Sequence, residues 1–220
     1  MPFDLLPTLL DGVWVTLQLT IGGAAVAFCA AWVAGMARLT PWRVLRWPAT
    51  TYVEIFRGTS ALVQLYWFYF ALPLLGVELT ALVTGILVLG LNIGAYGAEV
   101  VRGALQAVPR GQYEAAAALH LTAVQRYRYI LVPQAAIAML PPAGNLLVEL
   151  LKSTALVSLI TLSDLTFKGQ ILRAETLRTA EIFALLLVIY FLLAFAFTRG
   201  VGYVERRLSR YRLPVTSHGI

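Results

Sequence analysis

The residues able to do chemistry in this chain are few and scattered. Glu149 and Lys152 stand three apart with opposite charge, and Asn145 lies one turn before Glu149, so all three share a helical face. Such a face could solvate a zwitterion, which carries both a carboxylate and a cationic group. The same spacing also suits a plain ion pair tying two parts of a helical bundle together. Asn92, Tyr96 and Glu99 form a second stripe at i, i+4 and i+7. There Glu99 and Arg102 read as a structural pair, while Asn92 and Tyr96 are better candidates for contact with a passing solute. Lys152, Ser153 and Thr154 make a short polar block at the end of an apolar run. Metal and nucleophile chemistry have little to work with. The chain has 1 cysteine, Cys29, and 2 histidines, His120 and His218, and its 11 acids form no Asp-rich block. No metal site, no catalytic residue and no nucleic-acid partner is expected.

The elements that must hold these residues follow from composition. Of 220 residues, 60% are hydrophobic and 13% charged, where soluble domains carry about 25% charged residues. So little polar surface cannot face water, and the chain reads as an all-α, polytopic membrane protein with membrane lipid as its solvent. A hydrocarbon core of about 30 Å needs about 20 apolar residues. Runs at 13–36, 79–101, 130–151 and 182–204 qualify, and a shorter one at 60–76 completes five spans. The weakly polar stretch 51–56 could extend that shorter run as an interfacial helix. The whole chain, 1–220, reads as a single transmembrane domain. The apolar segment 154–162 is too short to cross and suits a re-entrant or bundle-buried piece. No basic residue precedes Arg38, so the first run reads as a retained span rather than a cleaved signal.

Charge placement orients the spans. Arg38, Arg43, Arg46 and Arg57, then Arg102, Arg110, Arg126 and Arg128, then Arg199, Arg206, Arg207, Arg210 and Arg212 all fall on one side of a five-span chain. Only Lys152, Lys168, Arg173 and Arg178 fall on the other. By the positive-inside rule the N-terminus, which bears Asp4, is outside and the C-terminus inside. Trp42, Trp47, Tyr52, Tyr66, Trp67, Tyr69 and Tyr203 cluster near span ends as an interfacial belt. The pairs Gly22-Gly23 and Gly85/Gly90 read as helix-packing contacts. Pro141-Pro142 with Gly144 predicts an interruption near the middle of the fourth span, or a packing kink there.

The inside loop at 109–133 is the informative stretch. Pro109 and Gly111 break the chain after the third span, and Glu114 to Leu119 has high helix propensity with its acid near the N-terminal end. Arg126 and Arg128 sit toward the other end, and Pro133 opens the next span. A short, alanine-rich helix on the inner face can seat closely in a groove of another protein.

Glu114, Ala115 and Ala116, followed by Ile130, Val132 and Pro133, resemble the EAA loop of bacterial ABC importer permeases. Val132 stands where the pattern has Leu, and His120 where it usually has Gly. The flanks 54–59, 94–103, 142–145 and 151–154 resemble the polar amino-acid uptake branch. That resemblance implies the type I importer fold, with the EAA segment as a coupling helix. It implies an ATPase-coupling role for Glu114, Ala115, Ala116, His120, Ile130 and Pro133. Implied partners are a cytoplasmic ATPase dimer, a second permease subunit (a related chain or a second copy) and a periplasmic or lipid-anchored solute-binding protein. ATP and Mg would belong to the ATPase, since no Gly-x-x-x-x-Gly-Lys-[Ser/Thr] loop occurs here. The location implied is the bacterial inner membrane. Residues 57–64 and 155–167 resemble permeases for ectoine and hydroxyectoine, which narrows the implied solute to that class. A stand-alone secondary carrier and a membrane-embedded enzyme are the competing readings.

Overall fold

A computed structural model describes residues 6–209. Asp4, Arg210, Arg212 and His218 lie outside the described residues. Within them the chain folds as helices: α1 Leu6–Leu39, α2 Arg43–Gly58, α3 Ala61–Tyr66, α4 Ala81–Gln106, α5 Arg110–Ala118, α6 Ala123–Arg126, α7 Val132–Ser153, α8 Leu165–Thr176 and α9 Thr179–Ser209. Four stretches are long and apolar enough to cross a bilayer: Leu6–Leu39, Ala81–Gln106, Ala123–Ile160 and Thr179–Arg207. A fifth crossing arises if α2 and the following segment Ala61–Leu75, bent by 107°, count as one span.

α1 and α4 form the spine, and small residues set their spacing. A Cβ on Gly90 would meet Val26 Cβ at 2.7 Å, one on Gly94 would meet Ala30 Cβ at 2.8 Å, and one on Gly97 would meet Ala31 Cβ at 2.8 Å. Gly22 and Gly85 abut Ile86 and Leu19 in the same way, so these glycines are packing contacts as expected. Close backbones of this kind gain dispersion where lipid offers no hydrophobic drive. Leu19, Val88, Leu89, Ile93 and Leu150 build the core at mid-bundle. A second core at one end joins Val101, Leu105, Leu131 and Met139. A third at the opposite end joins Leu9, Leu165, Ile182 and Leu186. α9 is the most apolar span, and only 11% of that stretch is buried, so most of its surface is left for lipid or another subunit.

Two prolines shape the helices in the same way. A π-helical turn, Trp67–Ala71, lies just before Pro73, and another, Tyr127–Leu131, just before Pro133. Proline lacks the N–H that would bond four residues back and its ring crowds that carbonyl, so a widened turn ahead of it relieves the clash. The fourth span corrects one expectation. α7 runs unbroken from Val132 to Ser153 with Pro141 and Pro142 inside it. Proline's fixed φ is itself helical, and Gly144 presses against α9, where a Cβ would come within 2.5 Å of Val201 Cγ1. The glycine therefore serves packing, not interruption. Segment 154–162 is bundle-buried: a 3₁₀ turn over Thr154–Ile160 puts Thr154, Val157, Ser158 and Ile160 inside.

Candidate functional site

The alanine-rich loop forms the helix α5, which lies across the ends of α4 and α7. Tyr113 Oη donates to the Leu105 carbonyl at 3.1 Å, satisfying one of the orphan acceptors at the end of α4. Burial and the neighbouring Tyr127 push the Tyr113 phenol up, so it remains a donor. Gln134 Nε2 on α7 donates to Gln112 Oε1 at 3.2 Å. Ala116 is fully buried against the bundle, while Glu114, Ala115, Ala117, Ala118 and Leu119 are exposed. One alanine thus seats the helix and the others form an outward face with little side-chain bulk. Ile130 packs into the core below, and Pro133 is exposed in the first turn of α7.

His120 ends this helix. It has φ 54°, in the left-handed region, and its N–H bonds the Ala117 carbonyl at 2.9 Å while Leu121 N–H bonds the Ala116 carbonyl at 3.1 Å. That is a Schellman cap with histidine where glycine is favoured. Thr122 and Gln125 then exchange reciprocal hydrogen bonds, a capping box that starts α6. The 109–133 segment is therefore defined turn by turn.

The polar residues of the spans separate into two groups. Asn92 is buried and spent within the chain: its Nδ2 donates to the Phe56 carbonyl at 2.9 Å and to Gln64 Oε1 at 3.1 Å. Gln64 Nε2 in turn donates to the same carbonyl and to Thr59 Oγ1. Together they satisfy the end of α2 and lock the 107° bend. Gln64 was not singled out by sequence spacing; its partner lies 28 residues away. Thr154 is fully buried and donates to the Leu151 carbonyl at 2.7 Å. Tyr96 is half-buried under the Arg57 guanidinium, 5.3 Å from its ring centroid.

Glu99 pairs with more than Arg102. Its carboxylate meets Arg38 of α1 at 2.7 Å, Arg57 of α2 at 3.1 Å and Arg102 of its own helix at 2.8 Å. One acid thus fastens three helices. Glu149 and Lys152, by contrast, form no ion pair with one another, so the structural pairing their spacing allows is not made. Both are exposed, and with Ala138, Pro141 and Asn145 they line one uncovered stripe along α7; Ser153 beside it is half-buried. A cavity of about 340 Å³ between α1, α4 and α7, lined by Ala27, Phe28, Trp32, Met139 and Leu147 among others, is apolar. So is the cleft between α7 and α9 around Gly144 and Val201. Neither offers hydrogen bonds to a polar solute; the stripe on α7 does.

Comparison with known proteins identifies the family and the fold. Residues 14–210 match the family model described as the binding-protein-dependent transport system inner membrane component. A probable amino-acid ABC transporter permease of Sinorhizobium fredii is 40% identical over 95% of this chain and 90% of its own length. The L-cystine transport system permease of Bacillus subtilis is 32% identical over 96% of this chain and 92% of its own. The glutamine transport system permease of Escherichia coli is 32% identical over 93% of each. A crystal structure of an amino acid ABC transporter with histidines superposes with a TM-score of 0.87 at 33% identity, covering 93% of this chain and 96% of that one. Methionine ABC transporter chains in inward-facing conformations share the fold at a TM-score of 0.78 and 22% identity. The chain belongs to the inner-membrane component family of binding-protein-dependent transport systems, with the type I ABC importer permease fold.

Proposed function

We propose that this permease subunit carries a polar amino acid, or a solute derived from one, through the inner membrane by alternating access. The observation that carries the reading is α5: a helix whose alanine face and Glu114 are exposed while Tyr113, Ala116 and Gln112 fix it to the bundle. A helix held that way transmits a push from outside the chain into α4 and α7. The push comes from an ATPase dimer that binds ATP and Mg and docks on Ala115, Ala117 and Leu119, with Glu114 as its polar contact. His120, Ile130 and Pro133 set the geometry of the loop rather than touching the motor. On this reading, with the arginines gathered on the inner side, α5 and the C-terminal end of α9 face inside and the N-terminus outside.

The solute path follows the uncovered stripe of α7, with Asn145, Glu149 and Lys152 as its polar contacts and Ser153 at its end. That stripe becomes a channel wall only when a second permease subunit faces it, and a solute-binding protein delivers from the outer side. Relatives described as transporting amino acids, cystine and glutamine support the amino-acid class. The narrower ectoine and hydroxyectoine assignment rests on residues 57–64 and 155–167 alone.

The test is ATPase coupling. Co-purified with its ATPase and reconstituted, the Glu114→Lys variant should keep its fold and lose solute-stimulated hydrolysis at least about tenfold, an interface charge reversal costing upward of about 1.4 kcal/mol. Unchanged coupling would overturn the role of α5. Titrating the delivering binding protein with polar amino acids and with ectoine decides the solute class.

A further inference from the structure

The structure assigns a second interaction surface to the first half of α2, and we propose that it binds the headgroups of anionic phospholipids. Residues 41–48 are all exposed, with Trp42 at 70%, Val44 at 83% and Trp47 at 74%. Only the second half of α2 is held by the bundle: Tyr52 Oη donates to the Leu91 carbonyl at 2.6 Å, and Val53 packs with Ala34 and Ala98. The helix turns by 107° from the segment that follows it, and its first half is left uncovered by the bundle.

Its residues divide over three faces at helical spacing. Tyr52, Val53 and Phe56 meet the bundle. Val44, Pro48 and Ile55 form an exposed apolar stripe. Arg43, Arg46, Thr50, Glu54 and Arg57 form a polar stripe beside it. Arg57 is committed to Glu99, but Arg43 and Arg46 have no carboxylate partner among the described residues. An arginine in a first turn also works against the helix dipole, so neither stabilises the fold by an interaction within the chain. An exposed apolar stripe, with Trp47 between it and the unpaired guanidinium groups and Trp42 at the start of the helix, matches the boundary between acyl chains and phosphates: the rings and Val44 enter the acyl edge while the arginines meet phosphate. A zwitterionic headgroup leaves the two charges uncompensated, whereas phosphatidylglycerol neutralises them. The proposal is independent of the solute, so its failure leaves the transport reading standing.

The test uses the transporter assembled with its ATPase, in phosphatidylcholine vesicles with and without phosphatidylglycerol. Spin-labelled phosphatidylglycerol should be immobilised in preference to spin-labelled phosphatidylcholine. The preference should drop about tenfold in the R43Q/R46Q double variant, each arginine near the surface contributing a several-fold factor, and persist in R43K/R46K. An unchanged preference in R43Q/R46Q, an equal loss in Arg173→Gln, or full displacement by inorganic phosphate would overturn it. Photolabelling of the unaltered protein from phosphatidylglycerol with a reactive acyl group needs no variant: labels at Trp42, Val44 or Trp47 support the assignment. Labelling confined to other segments means that another subunit covers α2, and sinks it.

Discussion

Glu99 and Glu149 have the same local pattern, a carboxylate with a basic residue three positions on, in helices that pack against each other. Their surroundings are opposite. Glu99 adds Arg38 and Arg57 from two other helices to the neighbouring Arg102; Glu149 makes no ion pair even with Lys152 and stays exposed on α7. An i, i+3 pair on a helix is worth a few tenths of a kcal/mol, too little to fix a role. Partners distant in sequence decide whether such an acid is a fastening or a free contact.

Breaking the fastening should produce the largest effect. Glu99→Gln leaves three guanidinium groups facing one another without their anion. Removing one partner of a buried pair costs about 3–5 kcal/mol, and the partial exposure of Arg57 and Arg102 reduces that to about 2–4 kcal/mol here. Denaturant unfolding of the purified subunit should show the loss, and Glu99→Asp should recover part of it. An unchanged midpoint would mean that the three-helix node contributes nothing.

A third carboxylate sharpens the contrast because no cation faces it. Asp164 is fully buried before α8, accepts from the N–H groups of Phe167 at 2.9 Å and Thr166 at 3.2 Å, and receives the Tyr190 hydroxyl at 3.4 Å. Burial pushes its carboxyl up to about 6, against the lowering effect of those hydrogen bonds. In the unfolded chain the group releases its proton near pH 4. Between those values the folded state holds a proton that the unfolded state lacks, so stability falls as pH rises through this window, by on the order of 3 kcal/mol. Asp164→Asn keeps the cap and should flatten that slope. Unfolding midpoints measured from pH 4 to 7 would show whether the slope exists and whether the variant lacks it.

These contrasts also mark what sequence could show. The apolar spans were legible because each is a continuous local run, and the 109–133 loop because Pro109, the alanines and Pro133 sit within one stretch. The Glu99 node was half legible: Arg102 is local, but Arg38 lies 61 residues away. The Asn92–Gln64 lock was hidden for the same reason, so Asn92 read as a solute contact. Pro141-Pro142 suggested an interruption because the local rule for proline knows nothing of the packing of Gly144 against Val201 on another helix, and α7 runs through both prolines.

A smaller effect is expected at His120, whose left-handed backbone opposes its side chain. A residue with a Cβ in that conformation carries about 1 kcal/mol of strain that glycine does not. His120→Gly should therefore stabilise the end of α5 by about that amount, read as slower amide exchange at Leu119 to Leu121. Faster exchange would show instead that the imidazole itself holds the turn.

Glu149→Gln should change stability least, within about 0.5 kcal/mol, as for an exposed site without partners. Its consequence belongs to transport: with the negative end of the polar stripe gone, uptake by the assembled transporter should fall at least about tenfold, one lost charged hydrogen bond being worth about 1.5–3 kcal/mol. The isolated subunit and the assembled transporter must be compared, because the proposed second subunit would cover this face. A variant that is stable alone but destabilised in the assembly would place Glu149 in an ion pair with the second permease, a fastening like Glu99 formed between chains rather than within one. Equal stability in both states, with uptake lost, leaves the carboxylate facing the solute. The difference between the two acids would then lie in what each faces, a set of arginines for Glu99 and the transported molecule for Glu149.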